Sequence, residues 1–102
     1  MDSNALLAKI LETFREKNIT HVEGYTSFGY IRETGSAVLV TRQHGQDTRV
    51  PYSKILKGID AYKADLELYN EGPDALRACG ITHVNSPVWS MLHLISVENY
   101  SH

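Results

Sequence analysis

A chain of 102 residues holds one domain, large enough to bury roughly two thirds of the surface its unfolded form exposes, and it leaves no room for a second. Apolar residues at 42% and charged residues at 22% exclude a disordered chain and a fibrous repeat. The formal charge of −2 excludes a global pull toward phosphate backbones or anionic membranes, so any nucleic-acid contact would be local. The lone Cys79 rules out an internal disulfide. Met1-Asp2-Ser3-Asn4 lacks the basic, apolar start of a leader, and no apolar run reaches membrane-span length, so a cytoplasmic protein off the membrane is expected.

In chain order, Leu6, Leu7, Ile10, Leu11 and Phe14 fall on one helical face over residues 3–17, with Lys9, Glu12, Arg15 and Glu16 outside it. Asp2 or Ser3 can cap the start, and Asn18, which tolerates the left-handed conformation, can end it. Short β-prone pieces follow, Ile19–Val22 and Phe28–Ile31, punctuated by Gly24, Gly29 and Gly35. From Ser36 to Ser53 the pattern predicts a β-hairpin with a β-branched base and a polar tip. Pro51 cannot donate to a ladder, so the chain leaves the sheet there and Ser53 can cap a helix from Lys54 to Tyr69. Gly58 inside that helix costs about 1 kcal/mol. Asn70-Glu71-Gly72-Pro73 breaks it, a short helix carries Ala75, Leu76 and Cys79 to a stop at Gly80, and Ser86-Pro87 opens a last helix with Val88, Met91, Leu92 and Ile95 inward. The expected fold is α+β, a small antiparallel sheet of three to four strands covered by about four helices, as one globular domain over 1–102.

The tetrapeptide Ile19-Thr20-His21-Val22 recurs as Ile81-Thr82-His83-Val84, but nothing flanking it matches, and a repeat architecture needs a sustained period. Asp74–Leu92 has the outline of a helix-turn-helix. Its outward positions would be Trp89, Ser90, His93 and Leu94, without the cations that read base edges, so helix packing is the expected role.

Catalytic and cofactor patterns are missing from the sequence. Cys79, His83 and His93 do not make a tetrahedral metal set, and Asp60, Asp65 and Glu67 spread around a helix. Ser27, Ser53, Ser86 and Cys79 lie in no nucleophile elbow, and the glycines make no phosphate fingerprint. No cofactor and no catalytic residue is assigned.

Two display surfaces remain. The hairpin tip offers Arg42, Gln43, His44, Gln46, Asp47 and Arg49, with Lys54 and Lys57 nearby, to a carboxylate or phosphate. Tyr25, Phe28 and Tyr30 crowd three aromatics into six residues, and Trp89 stacks with His93 four residues on, as core or as a partner patch. The expected function is a small non-catalytic protein-interaction module, a regulator or inhibitor acting through the hairpin and the aromatic patch. The alternatives are a nucleic-acid-associated accessory domain using the hairpin arginines and a small enzyme with an unrecognised site. A protein partner is expected, with a homodimer also compatible.

Overall fold

The computed structural model describes residues 1–42 and 45–101. The chain runs α1 (Ser3–Lys17), β1 (Ile19–Thr20), β2 (Phe28–Glu33), β3 (Ala37–Arg42), β4 (Thr48–Pro51), α2 (Tyr52–Ala64) and α3 (Asn85–Leu92). Three 3-10 segments, Leu66–Asn70, Pro73–Cys79 and Val97–Tyr100, complete it. The strands form one antiparallel sheet in chain order, and the four expected helical regions are present, the third as a 3-10 segment. This is a small α+β fold.

α1 begins where the Asp2 carboxylate accepts the Ala5 N–H at 2.7 Å. It ends where Asn18 turns left-handed at φ 64° and its N–H reaches the Phe14 carbonyl at 2.8 Å. Its buried stripe of Leu6, Ile10, Leu11 and Phe14 lies on the side of the sheet that carries Phe28, Val38, Val40 and Val50. Phe14 meets Tyr30 edge to face at 5.3 Å between ring centroids.

The boundaries of α2 and α3 differ from expectation at both ends. α2 starts at Tyr52, not Lys54, and Ser53 caps nothing. Instead the Tyr52 N–H bonds the Ser36 carbonyl at 2.9 Å and its hydroxyl bonds the Thr34 carbonyl at 2.8 Å, so the hairpin base takes one of the helix's four free N–H groups and anchors its first side chain. α2 does not run on to Tyr69; Asp65 turns extended and its carboxylate caps the next segment through the Glu67 N–H at 3.1 Å. α3 opens at Asn85, with Pro87 inside its first turn, and closes at Leu92, before Ile95.

Gly58 has a packing role that its helix propensity hides. A Cβ there would sit 2.8 Å from Leu92 Cδ1 and 3.3 Å from Val88 Cγ1, so the missing side chain is what lets α3 lie against α2. The repeated tetrapeptide has no structural counterpart. Ile19 is exposed and Thr20 buried, whereas Ile81 is buried and Thr82 exposed. Thr20 donates to the Ser90 carbonyl at 2.8 Å, tying the first strand to α3.

Candidate functional site

The aromatic residues singled out as a patch fold into or onto the core. Phe28 is 1% exposed and Trp89 5%, so neither can meet a partner as first expected. Trp89 donates its indole N–H to the Glu71 carbonyl at 2.8 Å, and its ring lies 4.4 Å from His93. His93 is clasped from both sides, with Nδ1 2.8 Å from the Trp89 carbonyl and Nε2 2.8 Å from the Tyr69 carbonyl. The Nε2 contact ties the end of α3 to the 3-10 segment Leu66–Asn70, while the Nδ1 contact stays within the last turn of α3. Tyr30 is half-buried and spends its hydroxyl on Glu33 at 2.6 Å; that hydrogen bond first, and burial second, push its phenol pKa up. Tyr25 alone of the five stays open, 47% exposed, with its ring lying on Trp89 at 4.5 Å.

The hairpin does not gather its cations at one tip. Gln43 and His44 lie outside the described residues, and Gln46 is exposed. Arg42 pairs in register with Phe28, holds its guanidinium 5.7 Å over that ring, and donates to Thr48 Oγ1 at 3.1 Å. Arg42 is thus half-buried along the helix-covered side of the sheet. Arg49 pairs with Leu39 on the opposite side and donates to Ser36 Oγ at 2.9 Å, near the hairpin base. Period-two alternation separates the two arginines that the sequence had placed together.

What the strands do assemble is the face away from the helices. One row across it is Ile19, Gly29 and Thr41; the next is Arg32, Leu39 and Arg49. Between Tyr30 and Arg32 the register slips by one residue, a bulge that sets Ile31 and Arg32 together opposite Leu39. Ile19 is 49% exposed and Ile31 38%, Leu39 is half-buried, and Arg32, Thr41 and Arg49 are exposed. A shallow groove of about 320 Å³ runs over Gly29, lined by Ile19, Ser27, Thr41 and Arg42. A Cβ on Gly29 would fall 2.8 Å from Thr41 Cγ2, so the groove has bare backbone as its floor.

Charge on this face is uncompensated. Among the described residues neither Arg32 nor Arg49 has a carboxylate within ion-pair distance. The sheet's own Glu33 points to the other side, where it takes Arg15 Nη2 at 2.8 Å and raises the guanidinium pKa through that hydrogen bond. Ile19, Ile31, Arg32 and Leu39 were not singled out from sequence.

Chemistry elsewhere is sparse. His21 Nδ1 lies 2.6 Å from Ser27 Oγ at the groove's rim, a pairing no local motif announced. No described carboxylate orients that ring, so the pair lacks the third group that holds a histidine base in its working tautomer. Among the described residues no three His, Cys, Asp or Glu side chains come together to hold a metal ion. α3 has no recognition face: every residue from Pro87 to Leu92 is buried. No helix among the described residues is long and apolar enough to cross a membrane. Comparison with protein-family models, curated proteins and solved structures returns no match, so the site's own geometry carries the functional argument.

Proposed function

We propose that this chain is a small non-catalytic protein-interaction module whose working surface is the open face of its sheet. The observation that carries this reading is the exposure of Ile19 and Ile31 beside Leu39, between two arginines that have no carboxylate partner among the described residues. Large aliphatic side chains left open on a sheet, rimmed by charge, fit the anatomy of a binding surface. Binding moves from the hairpin tip and aromatic patch to the neighbouring sheet face. A nucleic-acid accessory role would draw on the same arginines, but two cations neutralise too few phosphates for firm binding.

A site-specific photocrosslinker tests the assignment. Placed at Ile31 on the open face, it should capture one protein reproducibly from a native extract. Placed at exposed Glu67, beyond the helices, it should capture none. Equal capture from both positions, or none from either, would remove the reading.

A further inference from the structure

We infer that the partner lays an acidic amphipathic helix across the open face, with carboxylates on Arg32 and Arg49 and an apolar side chain between them on Leu39. The inference rests on the reading of that face as a docking surface and adds the chemistry of its occupant. Arg32, Leu39 and Arg49 stand in register on three adjacent strands, so the two arginines are two strand spacings apart. That separation is about 9.5 Å at the backbone. On an α-helix, positions i and i+7 are separated by about 10.5 Å along one side, with i+3 and i+4 between them. A helix crossing the strands therefore matches both arginines with two carboxylates and sets its intervening apolar pair over Leu39 and Ile31. The groove over Gly29 lies one row further, about 7 Å along the strands, within reach of a side chain from the next turn.

Charge decides between the possible occupants. A second copy of this chain placed face to face would bring four guanidinium groups together without an acid between them, which like-charge repulsion opposes. A nucleic-acid strand would find, among the described residues of these strand rows, no aromatic ring for its bases to stack on. A carboxylate suits the planar, two-pronged guanidinium, and the aliphatic residues beside it suit the apolar stripe of a helix.

The test is an NMR titration of the isotope-labelled full chain with a synthetic Ala-rich helical peptide carrying Glu at i and i+7 and Leu at i+3 and i+4. Expected shifts fall on the amides of Ile19, Gly29, Ile31, Arg32, Leu39, Thr41 and Arg49. Affinity should weaken as salt rises. The double variant Arg32→Glu, Arg49→Glu should lose about tenfold or more in affinity for this peptide and gain affinity for its Lys-for-Glu counterpart. Recovery of binding with the reversed peptide also shows that the variant is folded. Shifts elsewhere, or equal affinity of the wild type for both peptides, would overturn the inference. So would a single-stranded oligonucleotide that moves the same amides at lower concentration. Should the crosslinker at Ile31 capture a protein while the Glu peptide fails, the docking surface stands and only the acidic helix is wrong; failure of both removes the surface itself.

Discussion

The two faces of the sheet come from the same strands and the same alternation, yet they answer to different physics. On the covered side Phe28, Val38, Val40 and Val50 are buried in one cluster with the helices. On the open side Arg32, Thr41 and Arg49 are exposed around a half-buried Leu39. The contrast teaches that residue chemistry alone does not say which side chains a sheet leaves open. Of the aromatics, the strongest interface formers by type, Phe28 and Trp89 went to the inside, and the aliphatic Ile19 and Ile31 were left out beside arginines that have no carboxylate partner among the described residues.

Substitutions should separate the faces by the size of their effect on folding. Leu92→Ala, in the fully buried cluster, should cost about 2 to 5 kcal/mol in a denaturant titration. A loss under half a kilocalorie would place α3 at the periphery and dissolve the contrast.

Alkaline pH should attack the covered side next. Tyr62 and Tyr100 are fully buried, and burial first of all pushes both phenols well above the ordinary value of 10.0. Above pH 10 the unfolded chain releases these protons while the folded chain keeps them. Stability is therefore intact below that pH and should fall as pH rises past it, by about 1.4 kcal/mol per pH unit for each tyrosine. Tyr62→Phe should flatten that slope without abolishing it in urea titrations between pH 9.5 and 11, since Tyr100 and the raised phenols of Tyr30, Tyr52 and Tyr69 still contribute. Because the Tyr62 hydroxyl is buried with no partner among the described residues, its removal should leave neutral-pH stability unchanged or raise it.

Gly58→Ala would gain helix propensity on an open surface. Here the added methyl presses on Leu92 and Val88, so a loss of about 1 to 3 kcal/mol is expected in the same titration. An increase in stability would mean α2 and α3 can part without cost.

Arg42 sits on the boundary of the contrast. Arg42→Ala removes its contact with the Phe28 ring and its bond to Thr48, and should cost about 1 kcal/mol by thermal or chemical unfolding. The smallest effect belongs to Arg32→Ala, on the open side, at about half a kilocalorie or less. Equal losses at the two positions would mean the open face is structural too.

The sequence by itself determined the α+β class, the first helix with its Asp2 cap and Asn18 stop, the hairpin, and the left-handed stop at Gly80, whose φ is 85°. Each is a local matter of periodicity, capping or permitted backbone angle, legible within a few residues. Tertiary structure alone decided which residues stand side by side across the strands: register sets Arg42 beside Phe28 and Arg49 beside Leu39, and the bulge between Tyr30 and Arg32 brings Arg32 into the row of Leu39. It also decided that α2 would start at Tyr52, ahead of Ser53, with the Tyr52 N–H bonded to the hairpin base. And it left the row of Arg32, Leu39 and Arg49 uncovered, a juxtaposition of residues from three strands that no window of the sequence contains.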